Sequence, residues 1–219
     1  MSIKYSCFIS YRHNLGSTHN AFVLQLQEAL DNEIQPLIGL KSYLDTDNLT
    51  GGDYFEKKLQ NALCHSVCLI VVYIPMYFNE DKTFCTREFM AMKRIEKYRF
   101  RRLEKKVFDE SFIIPIRYRV DPPVVHNGIQ DVLFNKMQYY DFSNFSLGEW
   151  RISRNSKYMK EISELAQSIH EKYHMLQSIN NHLDEICQNF KFPTESEACC
   201  WLQKNKIVFN PPKFPGRKA

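Results

Sequence analysis

The chain has 219 residues, of which 44% are hydrophobic and 25% are charged, and its formal net charge is +4 at pH 7. This balance is ordinary for a globular domain and excludes collagen-like and intrinsically disordered proteins. The 7 glycines fit neither the G-x-G-x-x-G nor the G-x-x-x-x-G-K spacing. The sequence therefore has neither a Rossmann dinucleotide fingerprint nor a P-loop.

Hydropathy and cysteine usage favour a cytoplasmic protein that does not enter a membrane. The apolar run from Val67 to Phe78 contains Pro75 and is shorter than the roughly 20 apolar residues of a membrane span. The first residues lack the apolar stretch and cleavage site of a signal peptide. The 7 cysteines are an odd number without a C-x-x-C pair, so we expect Cys64 and Cys68 to be buried thiols.

Strand and helix signals alternate along the chain, which predicts an α/β domain with a central, mostly parallel five-stranded sheet flanked by helices. The predicted strands are residues 5–10, 41–44, 67–73, 112–118 and 136–142. The third is apolar without alternation, as is typical of a central strand covered on both faces. Apolar residues at helical spacing predict helices that include 22–30, 55–63, 84–98 and 158–179.

Prolines are more frequent in the sequence after residue 179 than before it. We therefore divide the chain into a domain, 1–179, and a C-terminal docking extension, 180–219. Residues 180–187 are able to prolong or follow the preceding helix. Prolines such as Pro193 favour an extended strap over an independent core in the rest, and a segment of about 40 residues is too short to fold alone. Trp201 and its apolar neighbours must nevertheless be covered. We therefore expect the extension to pack on its own domain or on a partner, and to modulate assembly.

A basic segment runs from Lys93 to Lys106, with eight basic and two acidic residues. Such a segment is able to contact the phosphates of a nucleic acid or a nucleotide messenger. The alternative is a helix end that continues into a solvated loop. No RNA-binding motif or recognition helix accompanies the charge, so direct reading of DNA is not expected.

The segment from His170 to His174 matches H-E-x-x-H, the zinc-binding motif of metalloprotease helices. Gln177 and Asn180 replace the glycine and the third ligand of the metzincin continuation, and Lys172 adds positive charge beside the cation. A zinc hydrolase is therefore kept only as a minor alternative.

Four short segments form, in this order, a specific pattern. Residues 7–12 are CFISYR, residues 43–45 and 49–55 are YLD and LTGGDYF, and residues 84–88 are FCTRE. They are similar to the first-strand F-I-S-Y-R box, the second strand with its BB loop, and the W-C-x-x-E helix of TIR (Toll/interleukin-1 receptor) domains. Phenylalanine stands in the tryptophan position. The chain thus resembles a TIR domain of the bacterial, NAD-consuming type.

The resemblance implies a flavodoxin-like fold and one of two functions. Many TIR domains cleave the nicotinamide–ribose bond of NAD+, giving ADP-ribose or cyclic isomers, through the glutamate of W-C-x-x-E. By position, Glu88 is then the catalytic residue of an NAD+ glycohydrolase or cyclase, an antiviral defence effector activated by self-assembly. The alternative is a non-catalytic adaptor acting through TIR–TIR contacts, in which Phe84 is core, Glu88 a solvated carboxylate and Arg12 a surface charge.

The chemistry of NAD+ cleavage agrees with a single carboxylate. Nicotinamide leaves as a neutral base, so no general acid is required, and one carboxylate stabilises the oxocarbenium-like transition state. Phe84 and Glu88 share a helix face, which places a ring able to stack on a planar base beside the carboxylate. Tyr11 and Arg12 end the first strand, where α/β sheets bind ligands. Arg12 suits a pyrophosphate, and Asp45 suits a ribose hydroxyl.

The resemblance also implies partners. Leu49, Gly51, Gly52 and Asp53 lie in the BB loop, by which TIR domains commonly contact the next copy, and we expect them to gate the site or to mediate self-association. NAD+ is the expected substrate, so neither a cofactor nor a bound metal is expected. A separate sensor or effector protein, or a nucleotide messenger, is a further candidate partner.

Overall fold

The chain is described from a computed structural model, which covers residues 3–13, 15–45, 54–103, 111–119, 128, 133–134, 137–145, 155–205 and 207. Within these ranges the strands are β1 (Tyr5–Ser10), β2 (Tyr43–Leu44), β3 (Ser66–Tyr73), β4 (Ile113–Arg117) and β5 (Tyr140–Asp141). The α-helices within the same ranges are α1 (Ser17–Ile38), α2 (Tyr54–Cys64), α3 (Phe84–Arg102), α4 (Ser156–Gln177), α5 (Asn180–Asn189) and α6 (Glu195–Lys204).

The strands form one parallel sheet in the order β2-β1-β3-β4-β5. This is the flavodoxin-like order, so the predicted fold class is confirmed. Every residue of β3 is buried, as its unbroken apolar sequence predicts for a strand covered on both faces. The limits of β1 are those predicted, and the limits of the other strands differ from the prediction by at most four residues. The strand β5 is the shortest relative to its prediction.

Two groups of helices cover the sheet. The helices α1 and α4 pack against each other, and both contact β1, whereas α2 and α3 pack against each other and both contact β3. The end of α1 is fixed by Gly39, whose φ of 71° lies in the left-handed region that glycine adopts most readily. The first strand therefore ends between two helical layers, at the edge where the candidate site lies.

The C-terminal extension is helical over much of its described length. Residues 178 and 179 separate the end of α4 from the short helix α5, and a segment from Phe190 to Pro193 leads into α6. A capping box between Thr194 and Glu197 starts α6, because each residue bonds the other's backbone N–H. Helix α5 agrees with the expectation that residues 180–187 prolong or follow the preceding helix, whereas the predicted extended strap is wrong for residues 195–204. The closing prolines lie outside the described residues.

The extension packs on its own domain. Both of its helices contact α3, and α5 also contacts α2. The Trp201 ring lies 5.6 Å from that of Phe78 and 5.5 Å from that of Phe89, which is an ordinary distance for packed aromatic side chains. Trp201 is therefore covered by its own domain, through Phe89 of α3 and Phe78 of the segment that precedes α3.

A disulfide joins Cys64, the last residue of α2, to Cys187 of α5. The expectation that Cys64 is a free thiol is therefore wrong. Residues 123 positions apart give no local signal of such a bond, whereas the packing of α5 on α2 brings their Cα atoms to 5.6 Å. Cys68, by contrast, is free and buried. Among the described helices, none combines the length and the apolar character that crossing a membrane requires.

Candidate active site

Glu88 lies in the second turn of α3 and is only 6% exposed, which contradicts the alternative of a solvated helix carboxylate. The hydroxyl of Ser10, the last residue of β1, donates a hydrogen bond of 2.5 Å to Glu88 Oε2. The contact places the carboxyl group at the carboxyl end of β1, next to the central strand. Open α/β sheets bind their ligands at this edge.

Ser10 and Tyr77 are polar residues of the site that the sequence analysis missed. The Tyr77 hydroxyl lies 2.6 Å from Ser10 Oγ, and both side chains are buried. Since Ser10 donates to Glu88, the proton between Ser10 and Tyr77 comes from Tyr77. Burial raises the pKa of Tyr77 well above its ordinary value, so its hydroxyl remains a donor. The three residues form a chain of hydrogen bonds that ends on the carboxyl group.

Burial raises the pKa of Glu88 to about 8, because removal from water penalises the charged form. The Ser10 hydrogen bond and the positive charge of Arg87 lower it, while the nearby carboxylate of Asp45 raises it. Desolvation is the largest of these effects. The group is therefore largely protonated in the free domain at neutral pH.

Tyr11 and Cys85 connect the end of β1 to the first turn of α3. The Cys85 thiol donates to the Tyr11 carbonyl oxygen across 3.4 Å, and burial raises the pKa of that thiol. The Tyr11 ring is stacked on His13, with ring centroids 4.3 Å apart. Tyr11 is 8% exposed, so its side chain is packed against the residues around the end of β1.

Arg12 is 6% exposed, which contradicts the alternative of an ordinary surface charge. One of its terminal nitrogens donates a hydrogen bond of 2.9 Å to the Lys82 carbonyl oxygen, just before α3. The side chain thus ties the end of β1 to the loop that positions Glu88. Its predicted contact with a pyrophosphate stays a prediction.

Asp45 follows β2, the neighbour of β1, and is half-buried. Its carboxylate contributes to the raised pKa of Glu88 and to that of Tyr43, which burial raises to about 12. These couplings place Asp45 near the catalytic candidate, as the parallel order of β1 and β2 requires. Its role toward a ribose hydroxyl stays a prediction.

Phe84, the first residue of α3, is 46% exposed, so it is not core. The Arg87 guanidinium lies 5.3 Å from the Phe84 ring and 4.9 Å from the ring of Phe192 in the extension. Arg87 also donates to the Pro193 carbonyl oxygen and pairs with Glu56 of α2. An exposed ring is therefore present one turn before Glu88, as the spacing predicts, and its stacking role stays a prediction.

The predicted assembly residues Leu49, Gly51, Gly52 and Asp53 lie outside the described residues, and so does the BB loop that contains them. Their expected roles stay predictions.

The H-E-x-x-H segment lies on α4, which packs on α1 and contacts β1 and β3. The Nε2 atoms of His170 and His174 lie 2.8 Å apart, and Glu171 accepts a hydrogen bond from Gln167. Within the described part of the chain, no group of three or more histidine, cysteine, aspartate or glutamate side chains is placed to hold a metal ion. The third protein ligand that a catalytic zinc requires is not supplied by these residues.

Several residues of the basic segment make contacts within the molecule. Arg94 pairs with Glu197 at 2.6 Å, and Arg102 pairs with Glu185 at 2.9 Å, so α3 holds both helices of the extension. Arg99 is completely buried. The alternative of a solvated helix end is therefore wrong for Arg99, while Arg94 and Arg102 remain partly exposed in surface ion pairs. Binding of a nucleotide messenger stays untested.

The family model described as "TIR domain" matches residues 7–155 of this chain. The match covers more than half of the sequence and includes β1, β2 and the start of α3. The chain therefore belongs to the TIR domain family, which confirms the resemblance seen in its motifs.

A similar solved structure is that of the TIR domains in the activated Roq1 resistosome directly recognizing the pathogen effector XopQ. The identity is 19%, the similarity covers 93% of this chain and 99% of that chain, and the TM-score is 0.38. A similarity at this level supports no conclusion about function. No curated protein sequence matches the chain.

Proposed function

We propose that this TIR domain breaks the nicotinamide–ribose bond of NAD+, with Glu88 as the catalytic carboxylate. The observation that carries the proposal is the buried Glu88 carboxyl group, held by Ser10 at the ligand-binding edge of the parallel sheet. A carboxyl group that serves only solubility has no reason to be buried with a strongly raised pKa, and such groups cluster at functional sites.

The reaction needs one negative charge in the right place. When the bond between ribose C1′ and the pyridinium nitrogen breaks, its electron pair stays with nicotinamide, which departs uncharged. Positive charge develops on the ribose, and the Glu88 carboxylate stabilises it. Water then adds to C1′ and loses a proton, giving ADP-ribose. Attack by a nucleophilic atom of the same molecule gives a cyclic isomer instead.

The raised pKa of Glu88 is compatible with this role. The free domain holds the group largely protonated because burial penalises the charge. The cationic nicotinamide ring of NAD+ supplies an opposite charge beside the carboxyl group, which favours its ionised form. Substrate binding and ionisation of Glu88 are therefore coupled, and the negative charge is formed where the transition state requires it.

The neighbouring residues fit parts of the same substrate. Phe84 offers an exposed ring one helical turn from Glu88. Asp45 lies close enough to Glu88 to alter its pKa, and a carboxylate there suits a ribose hydroxyl. Tyr11 and Arg12, which follow β1, complete the proposed substrate-binding set, and the proposed partner of Arg12 is the pyrophosphate.

The decisive experiment incubates the concentrated protein with NAD+, with and without a crowding agent, and separates the products by chromatography. Nicotinamide must form together with either ADP-ribose or a cyclic isomer. We expect Glu88→Gln to lower turnover by about 100-fold or more while the protein stays folded. Glu171→Gln, on the exposed side of α4, is the matched control and keeps full activity.

Other outcomes distinguish the alternatives. Equal turnover in wild type and Glu88→Gln refutes the catalytic assignment. Loss of turnover on treatment with EDTA and its rescue by zinc support the hydrolase alternative based on His170 and His174. Absence of turnover at every concentration, in a protein that nevertheless oligomerises, supports the adaptor.

We further propose that self-association through Leu49, Gly51, Gly52 and Asp53 activates the site, and that the cellular role is NAD+ depletion in antiviral defence. Specific activity is then expected to rise with protein concentration in parallel with the mass measured by light scattering. Gly52→Trp is expected to lower both. Activity that is strictly proportional to protein concentration, with a constant mass, contradicts activation by assembly.

A further inference from the structure

The described C-terminal extension, residues 180–205, is fastened to α2 and α3 by contacts of unequal strength. Its polar contacts include the ion pairs of Glu185 and Glu197 with α3, whose carboxylates are about half exposed, and a hydrogen bond of 2.6 Å from Gln60 to the Phe190 carbonyl oxygen. Exposed ion pairs stabilise a contact weakly, because water and salt screen them. The extension also buries apolar side chains against the domain, among them Leu183, Ile186 and Leu202. All of these contacts are reversible, whereas the bond between Cys64 and Cys187 is covalent.

The two cysteines of this bond differ in exposure. Cys64, at the end of α2, is 2% exposed, whereas Cys187 is half-buried and lines a cavity of about 620 Å³ between α2 and α5. Lys57 and Lys58 line the same cavity. A small nucleophile therefore has space to approach Cys187, and two ammonium groups favour a negatively charged one.

We propose that the Cys64–Cys187 bond is a redox modification site, cleaved by a dithiol reductant that enters the cavity and attacks the Cys187 sulfur, and that its cleavage lets the C-terminal extension open from the domain more often. The site takes a thiolate as its reactant. It adds to the proposed NAD+ chemistry and does not depend on it.

The exchange balances in two steps. A reductant thiolate attacks the Cys187 sulfur and forms a mixed disulfide, and Cys64 leaves as a thiolate that takes up a proton. The second thiol of the reductant then loses its proton and attacks the first reductant sulfur, which is bonded to Cys187 in the mixed disulfide. Cys187 leaves as a thiolate and is protonated in turn. The reductant is oxidised to an intramolecular disulfide, and the protein gains two electrons and two protons.

Opening of the extension removes contacts from Arg87, which lies in the first turn of α3. Arg87, the residue before Glu88, has its guanidinium against Phe192 and donates to the Pro193 carbonyl oxygen. Both partners belong to the segment between α5 and α6. When the covalent bond is cut, these contacts remain on a segment held only by reversible interactions, so the extension opens more often.

The test uses the full chain and does not require enzymatic activity. The protein is equilibrated with a mixture of reduced and oxidised glutathione, and digestion followed by mass spectrometry must find a peptide that joins Cys64 to Cys187. Hydrogen exchange is then measured before and after reduction with dithiothreitol. We expect exchange in residues 180–205 to become about tenfold faster or more, with β1 and β3 unchanged.

Two sets of variants sharpen the test. The double variant Cys64→Ser/Cys187→Ser must exchange like the reduced protein, whereas Cys199→Ser, a free cysteine of α6, must keep the full redox response. The rate of disulfide reduction is also measured with the anionic thiol thioglycolate and the cationic thiol cysteamine, and each rate is corrected for the thiolate fraction of that thiol. Wild type must be reduced faster by thioglycolate, and this difference must disappear in the variant Lys57→Gln/Lys58→Gln.

The proposal fails if no linked peptide forms at any glutathione ratio, or if residues 180–205 exchange equally fast in the oxidised and reduced wild type. The second comparison needs no substitution, so a double variant that misfolds leaves it intact. If the ratio of the reduction rates with thioglycolate and cysteamine is the same in wild type and in the lysine variant, the entry of an anionic thiol through the cavity is refuted.

Discussion

Among the buried charged side chains of helix α3, Arg99 and Glu88 have opposite surroundings. Arg99, near its end, is 0% exposed and donates to three carbonyl oxygens, those of Cys64 at 3.1 Å, Ser66 at 2.7 Å and Val67 at 2.7 Å. Glu88, near its start, receives one hydrogen bond among the described residues, from Ser10. The first charge has several partners and the second has few.

The difference separates a structural charge from a poised one. Burial lowers the pKa of Arg99 only to about 10, so it stays protonated, and its donors hold the end of α2 against the start of β3. Burial raises the pKa of Glu88 to about 8, so its charge is not stabilised in the free domain. A carboxyl group kept in this state gains most from a cationic ligand.

The largest expected effect is the loss of the structural charge. Arg99→Met leaves three carbonyl groups without their donor in a buried place, which is expected to lower the free energy of unfolding by on the order of 3 kcal/mol or more. Urea denaturation followed by circular dichroism measures the change. Arg101→Met, an exposed position on the same helix, is the control and is expected to stay within about 0.5 kcal/mol of wild type. If both variants change the free energy of unfolding by similar amounts, the hydrogen bonds of Arg99 do not stabilise the fold.

The next effect concerns the pH dependence of stability. Glu88 has a folded pKa of about 8, above the value of about 4.3 for an unperturbed glutamate. Between these values the folded state binds more protons than the unfolded state, so this group makes the domain less stable as pH rises, and its effect levels off above the folded pKa. Glu88→Gln removes the titration and keeps an acceptor for Ser10.

The measurement is the free energy of unfolding of wild type and Glu88→Gln over that pH range. We expect the stability of the variant relative to wild type to increase with pH, because only wild type must ionise a buried carboxyl group. Taking the difference cancels the titration of other groups. A difference that is constant with pH, or that falls, contradicts the raised pKa on which the poised charge depends.

Much of this contrast lay outside the reach of local sequence patterns. The strand order and the place of Glu88 at the sheet edge were predictable, because periodicity and family motifs are short-range signals. The partners of Ser10 lie 67 and 78 residues away, and the disulfide spans 123 residues. Arg99 was part of a charge run that suggested solvent exposure, and only the packing of α3 on β3 shows that it is buried.

The smallest expected effect concerns Phe84, which tests whether the surroundings of Glu88 serve a ligand or the fold. Its ring is 46% exposed, so Phe84→Ala is expected to change the free energy of unfolding by no more than about 0.5 kcal/mol. If the ring stacks on the nicotinamide or adenine base of NAD+, the Michaelis constant rises several-fold while kcat changes little, because stacking binds ground state and transition state alike.

Tyr98 is the matched control for this substitution, since it is 40% exposed on the same helix and has Arg101 5.9 Å from its ring, as Phe84 has Arg87. Tyr98→Ala must leave both the Michaelis constant and kcat unchanged. If Phe84→Ala instead lowers stability by about 1 kcal/mol or more and leaves the Michaelis constant unchanged, the ring supports Arg87 and the docked extension. In that case the exposed aromatic residue of the W-C-x-x-E-like motif belongs to the attachment of the extension, and the poised Glu88 binds its substrate without it.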